Sequence, residues 1–413
     1  MKKNILPSAV KGSIQAPPSK SAAQRAIAAA SMAPGLSELS GAGHSDDVLA
    51  AIGVCRNLGA TVIEDGERLF VGGGISLPGK TLHCGESGLG IRMFAGIAAS
   101  LAGQVVLTGQ GSLTHRPMHP VGESLRALGV SCHTTDGKLP LYIRGPMPGG
   151  RSTLDGSLSS QILTGILMGS PGAMSDTFLE VKNLKSRPYI DLTIEIMEAF
   201  GIRLTNHNYK TFHIPHGQTY QNTNYKIEGD WSGAAFILVA GAIAGQVTMF
   251  GLRPDSKQAD KAIIEALAKA GAGVRIGDEK IETWKQDLQA FSFDATHCPD
   301  LFPPLVCLAS QCRGKTKISG RKRLMAKESD RSATLMDIFH KMGIQIETDG
   351  DDMIITGGEV RSAQLHSHND HRIAMAAAIS ALCADGPVNI SGAEAVNKSY
   401  PGFFDHLQII TTT

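Results

Sequence analysis

The feature that most constrains this chain is a near-repeat of about seventy residues. Five helical stretches end in glycine and run into a short aliphatic strand. The glycines are Gly59, Gly129, Gly201, Gly271 and Gly343, at spacings of 70, 72, 70 and 72 residues. Each follows an amphipathic pattern, such as Ile263, Ile264 and Leu267. That is where a helix ends in a residue with positive φ, which a Cβ makes costly. A second row marks helix starts near Ser21, Ser87, Ser159, Ser232, Asp300 and Asp370, residue types that cap apolar helices. A third row lies in the loops before the amphipathic helices, at Asp46, Arg116, Ser186, Lys257, Glu328 and Lys398.

Each unit therefore reads helix, strand, loop, helix, glycine, strand, turn, strand, and six units nearly fill the 413 residues. That length exceeds what one hydrophobic core usually serves, and the period is too long for a common solenoid. Two globules of three units follow. The sixth unit runs short of strands after residues 407–410, while residues 10–16 form an unclaimed strand. The simplest closure has the N-terminal strand complete the sixth unit. The expected domains are residues 1–18 with 228–413, and residues 19–227. The apolar stretch 234–250 is too short to span a membrane and reads as a buried helix.

Charge and cysteine narrow the function. Lys and Arg number 39 against 38 for Asp and Glu, which argues against a dedicated nucleic-acid binder. Seven scattered cysteines without a Cys-x-x-Cys pair read as reduced thiols in a cytoplasmic chain. No apolar signal segment follows the first lysines. The near-zero net charge conceals local grouping. Lys20, Arg25, Arg92, Arg116, Lys327, Arg331, Arg372 and Lys398 all sit at helix starts or in the loops before them. Helix N-termini loaded with cations suit phosphates and carboxylates.

Three shorter motifs compete. Gly74 to Thr81 fits the phosphate-loop pattern of a nucleotide hydrolase, but a strand is expected where that mechanism needs a helix. His366, His368 and His371 have metal-like spacing without evident carboxylate partners. Gly85-Glu86-Ser87-Gly88 approaches a nucleophile elbow, but Leu89 stands where the second glycine belongs.

The motifs in order resemble the 3-phosphoshikimate 1-carboxyvinyltransferase family, also called EPSP synthases. They are Pro18-Ser19-Lys20-Ser21 with Arg25; Asp46-Asp47; Gly88 with Arg92; Thr114-His115-Arg116-Pro117; Asp155-Gly156-Ser157 with Ser159-Ser160-Gln161; Ser186 with Pro188-Tyr189; Pro299-Asp300; Lys327-Glu328-Ser329-Asp330-Arg331; Asn369-Asp370-His371-Arg372; and Lys398. The resemblance covers nearly the whole chain. It implies an α/β (α+β) inverse-barrel fold of two globular domains, each of three βαβαββ units. It implies transfer of the enolpyruvyl group of phosphoenolpyruvate to the 5-hydroxyl of shikimate 3-phosphate by a cytoplasmic monomer, with no cofactor, metal, membrane or nucleic acid.

By the same resemblance Lys20, Ser21, Arg25, Ser159, Ser160, Gln161, Ser186, Tyr189, Asp300 and Lys327 hold shikimate 3-phosphate. Lys20, Gly88, Arg116, Gln161, Arg331, Arg372 and Lys398 hold phosphoenolpyruvate. Asp300 is expected to act as base on the 5-hydroxyl and Glu328 as proton donor, with Lys20 able to share proton transfer. Closure of the domains is expected to exclude water. The chain departs from the family's commonest pattern at Glu86 and Leu89, so Glu86 must point away from the anion, and Arg323 stands where Asn is usual. The nearest rival is the enolpyruvyl transferase that acts on UDP-N-acetylglucosamine. It needs a reactive Cys shortly before the position of Arg116, and residues 110–115 contain none. A phosphate-loop hydrolase and a non-enzymatic anion-binding repeat protein are the rivals from other classes.

Overall fold

The computed structural model describes residues 1–76, 81–278, 280–325 and 327–412. They form two compact lobes, one of Pro18–Ile227 and one of Met1–Pro17 with Glu228–Thr413.

The third repeat shows the unit in full. Strands Gly150–Asp155 and Thr177–Lys182 run parallel, joined by helix Ser160–Gly169. Helix Arg187–Ala199 then leads to the antiparallel strands Thr205–His207 and Thr211–Ile214. Within the sheet the order is first, second, fourth, third. The second repeat has the same order, with strands Thr81–His83, Gly103–Thr108, Lys138–Gly145 and Ser131–Thr135. So does the first, except that its opening strand comes from far along the chain. Asn224–Lys226 runs parallel to Leu36–Ser40.

That loan decides where the N-terminus goes, and it corrects the expected closure. The helix Trp231–Ala244 needs a parallel strand before it, yet the chain reaching it has just given residues 224–226 to the first repeat. Ala9–Gln15 takes the place, parallel to Gly245–Phe250 in the fourth repeat rather than the sixth. The sixth repeat is served by a different N-terminal strand, Lys2–Ile5, antiparallel to Val388–Ser391. The apolar run 234–250 is likewise not one helix. The helix ends at Ala244, and residues 245–250 are strand. A Cβ at Gly245 would lie 2.1 Å from the Val10 carbonyl oxygen, so the strand can start there only without a side chain.

The five spaced glycines end their helices in one way. Their φ values run from +80° to +100°. Gly129 N donates to Arg126 O at 2.9 Å and Val130 N to Leu125 O at 3.1 Å, and the other four sites repeat both bonds. Each therefore satisfies carbonyls that a helix end leaves bare.

The inner helices are buried on all sides, as in Ala22 to Ser31 and Trp231 to Ile243, the second of them apolar almost throughout. Two of them, Gly88–Ser100 and Ser160–Gly169, touch backbone to backbone. A Cβ at Gly96 would lie 2.1 Å from Gly165 C, one at Gly165 2.2 Å from Arg92 O, and one at Gly169 2.1 Å from Gly96 O. Caps at the helix starts are Ser19, Ser87, Ser159, Asp230 and Asp370, each accepting a backbone N–H of the first turn. Ser21 and Ser232 thus lie two residues inside their helices. Asp300 makes no cap bond. It sits in the short turn Pro299–Leu301 before helix Phe302–Ser310.

Two substitutions separate backbone conformation from packing. Gly271→Ala, with φ +80° and no atom nearer than 3.4 Å to the new Cβ, should cost about 1 kcal/mol through the left-handed conformation alone. Gly165→Ala must force two backbones apart and should cost about 3 kcal/mol. Urea denaturation measures both, and equal costs would refute the close-packing account.

Candidate active site

In the lobe containing Glu228–Thr413, three predicted cations converge on the Asp300 carboxylate. Asp300 Oδ1 accepts from Arg331 Nη1 at 2.7 Å and Lys327 Nζ at 3.2 Å, and Oδ2 accepts from Arg372 Nη2 at 3.2 Å. Arg331 also donates to Glu328 Oε2 at 2.5 Å and, through Nε, to Asp370 Oδ2 at 2.8 Å. Its side chain is 1% exposed, and Asp370 is fully buried. Lys398 Nζ donates to Asn369 O at 2.7 Å, one residue before that anchor. The local causes are simple. Asp370 caps helix His371–Ala381 through Arg372 N at 2.9 Å. The helix start therefore carries Arg372 beside it, while Arg331 opens the outer helix Arg331–Lys341 and reaches in.

Burial alone would raise the Asp300 carboxyl pKa, and it is the largest single influence. Arg372, Lys327 and Arg331 together outweigh it and hold the carboxyl well below its usual range, against some opposition from Glu328. Asp300 is thus ionised throughout neutral pH. Lys327 moves down, chiefly because it is buried, with Asp300 opposing. For Arg331 burial acts downward, but Asp370, Glu328 and Asp300 prevail and raise it.

A further carboxyl was not singled out from sequence. Asp260 is completely buried and hydrogen-bonded to the Ser232 hydroxyl. Burial first, then Asp300, pushes its pKa up to about 6, against Arg372 and Ser232. A lone Asp in a loop, 28 residues past Ser232, offered no motif to mark it.

In the lobe Pro18–Ile227 the central group is Arg25, 1% exposed. Its Nε donates to Thr193 Oγ1 at 2.9 Å and Nη1 to Ser21 O at 2.8 Å. Nη2 donates to Thr164 Oγ1 and Tyr189 O, each at 3.4 Å. All four partners are neutral oxygens, and no carboxylate pairs with Arg25 among the described residues. Burial lowers its pKa to about 10, slightly opposed by Tyr189. A buried cation without a counter-charge is costly, and a bound anion would relieve that cost.

Around it, Lys20 Nζ pairs with Asp47 Oδ2 at 2.9 Å. Gln24 Nε2 ties Asp47 O, at 2.9 Å, to the capping Ser87 Oγ, at 2.7 Å. Arg92 Nη1 donates to Gly88 O at 2.9 Å and Gln161 Oε1 at 3.1 Å. Arg116 Nη1 packs against Gly88, where a Cβ would sit 2.3 Å from it. The missing side chain at Gly88 therefore makes room for a guanidinium. Ser159 accepts from Gln161 N at 3.2 Å, and Ser160 begins that helix, buried. Ser186 holds a left-handed φ of 53° at the start of helix Arg187–Ala199, a strained conformation for a residue with a Cβ. Its carbonyl accepts from Tyr189 N at 3.2 Å. Sequence reasoning marked Lys20, Arg25 and Gln161 but missed Gln24, Thr164 and Thr193, whose neutral side chains carry no charge pattern.

The competing motifs fare poorly. Residues 77–80 of the phosphate-loop match lie outside the described residues, but Thr81–His83 is a strand. His366 and His368 meet edge to face with ring centroids 5.3 Å apart, and His371 is buried in a helix start. Among the described residues no three His, Cys, Asp or Glu are grouped to hold a metal ion, and no helix is long and apolar enough to cross a membrane. Glu86 turns toward Gly111 and Ser112. Arg323 Nη1 donates to Thr296 O at 3.5 Å.

The buried Asp260 gives a test that needs no substrate. With its pKa raised above the unfolded value near 3.8, its contribution to stability is full below about pH 4 and is lost as pH rises through about 6. Asp260→Asn should remove that loss. The variant should gain up to about 3 kcal/mol on the parent between pH 4 and pH 7.5, read from denaturation midpoints. A pH-independent difference would refute it.

Comparison with known proteins shows the family. The family model for EPSP synthase (3-phosphoshikimate 1-carboxyvinyltransferase) matches residues 6–407. The 3-phosphoshikimate 1-carboxyvinyltransferase of Methanocella arvoryzae is 39% identical over 413 residues, covering 98% of this chain and 97% of that protein. The one from Clostridium novyi is 36% identical over 414 residues, covering 97% and 95%. The solved EPSP synthase of Acinetobacter baumannii superposes with a TM-score of 0.83 at 27% identity, over 100% of this chain and 98% of that one. The chain belongs to the EPSP synthase family.

Proposed function

We propose that this chain is an enzyme of the shikimate pathway that transfers the enolpyruvyl group of phosphoenolpyruvate to the 5-hydroxyl of shikimate 3-phosphate and releases phosphate. Family membership carries the reaction. The observation that carries the residue roles is the Asp300 carboxylate held ionised by Arg331, Lys327 and Arg372.

Two phosphates and two carboxylates must be gathered before any bond changes, and cations on preset supports serve that need. Arg25, with only neutral partners, takes the 3-phosphate with Ser21, Ser159, Ser160, Ser186, Gln161 and Lys20, and Tyr189 beside them. Arg116, Arg331, Arg372, Lys398 and Gly88 take phosphoenolpyruvate, with Lys20 and Gln161 shared. Lys327 and Asp300 complete the shikimate set.

The strong cationic hold on Asp300 makes it a poor base in the free protein. Anionic substrates engaging Arg331, Arg372 and Lys327 draw those charges away, and the carboxylate gains basicity as the substrates assemble. Asp300 then accepts the proton of the 5-hydroxyl as its oxygen bonds to C2 of phosphoenolpyruvate. Glu328, or Lys20, gives a proton to C3. The tetrahedral intermediate loses a proton from C3 and phosphate from C2, which restores the double bond. Glu328 is also an ion-pair partner of Arg331 at 2.5 Å, so both roles fall on one residue. Seven free thiols, six of them buried, suit a reducing cytoplasm.

Phosphate release should require both substrates and persist with a chelator present. Phosphate appearing only with ATP and magnesium would overturn the reading, and no turnover would favour a binding protein. Asp300→Ala should lower kcat at least ~100-fold, the lower end of general acid–base contributions, with an unchanged fold by circular dichroism. Normal turnover would refute its role. Arg116→Ala should raise KM for phosphoenolpyruvate by about tenfold or more, the effect of a lost charged contact, and that for shikimate 3-phosphate far less. Equal effects would count against the assignment.

A further inference from the structure

Residues 85–88 and the turn 109–116 are joined at successive points. Gln110 N donates to Gly85 O at 2.8 Å. A Cβ at Gly109 would come within 2.9 Å of the same oxygen. One residue further along the first segment and two along the second, Glu86 Oε2 accepts from Ser112 N at 3.4 Å. The Glu86 carboxyl group lies over Gly111, where a Cβ would meet its Cδ at 2.2 Å and its oxygens at 2.4 and 2.5 Å. Gly111 has φ +55°. It is therefore glycine for two reasons, the left-handed backbone and the carboxyl group resting on it. The turn Gly111–His115 ends at Arg116, whose N–H donates to Leu113 O at 3.2 Å. Arg116 then returns to Gly88 and closes the loop of contacts.

We infer that Glu86 is a positioning residue: through the Ser112 N–H and the Gly111 backbone it fixes the turn that carries Arg116. The inference rests on the reading of Arg116 as a phosphoenolpyruvate ligand. The turn makes no regular ladder with segment 85–88, so few backbone bonds hold it in place. The Ser112 N–H contact is long, and the close seating of the Glu86 carboxyl group on the Gly111 backbone is the tighter tie. A guanidinium displaced by an ångström loses much of its value in orienting an anion. Glu86 therefore acts on affinity for one substrate, through another residue, and does not touch the reacting atoms.

Steady-state kinetics on the full chain test this. Glu86→Ala should raise KM for phosphoenolpyruvate ~10-fold, the effect of a displaced Arg116 guanidinium. kcat and KM for shikimate 3-phosphate should stay within about twofold. Glu86→Gln keeps an oxygen acceptor at the same reach and should recover most of the loss. Gly111→Ala attacks the same contact from the other side and should reproduce the selective rise. If Glu86→Ala fails to fold, Gly111→Ala and Glu86→Gln still decide. The double variant Glu86→Ala/Gly111→Ala should be less than additive, because the new Cβ no longer meets a carboxyl group. The inference is overturned if neither alanine variant moves KM for phosphoenolpyruvate, if both substrates are affected alike, or if the double variant is additive. Absence of turnover in the parent chain would instead overturn the reading of the activity.

Discussion

The site depends on how closely the inner helices approach. Gly96, Gly165 and Gly169 let two helices meet at backbone distance, with room for no Cβ on either side. That approach brings Arg92 within 3.1 Å of Gln161 across the two helix starts. A methyl group at the crossing would push the starts apart and break the Arg92–Gln161 contact. Small residues in the interior thus set distances between polar side chains as well as packing density.

Charge is arranged on this frame by unequal satisfaction. In the lobe holding Asp300, cations and carboxylates neutralise one another, and Arg331 serves three acids at once. In the lobe holding Arg25, a buried guanidinium meets only neutral oxygens. The first arrangement keeps a carboxylate ionised and holds its basicity down. The second leaves positive charge looking for an anion. Asp260 adds a third case, a buried acid whose proton is favoured by its surroundings.

Much of the site was legible because its residues are charged and recur at one place in each repeat. Lys327, Glu328, Arg331 and Arg372 could be placed on loops and helix starts from spacing alone, and three of them, Lys327, Arg331 and Arg372, do meet at Asp300. Their roles came from family resemblance. Neutral partners were not legible. Thr164 and Thr193 look like ordinary helix residues in sequence, and only folding brings them to Arg25. The same holds for Glu86, whose function depends on which turn lies above it.

The sequence alone determined the repeat, the helix ends and the apolar inner helices. Those are local properties: a positive φ after a helix, a capping side chain before one, and hydrophobicity on every face. The tertiary structure decided strand ownership. Residues 9–15 read as a strand and Lys2–Ile5 carries little strand signal, and nothing local says which sheet each will join. Pairing is settled by which sheet edge remains open once Asn224–Lys226 has closed the first repeat. It also decided which cations would be balanced and which left for a ligand, because that depends on distances between side chains far apart in the chain.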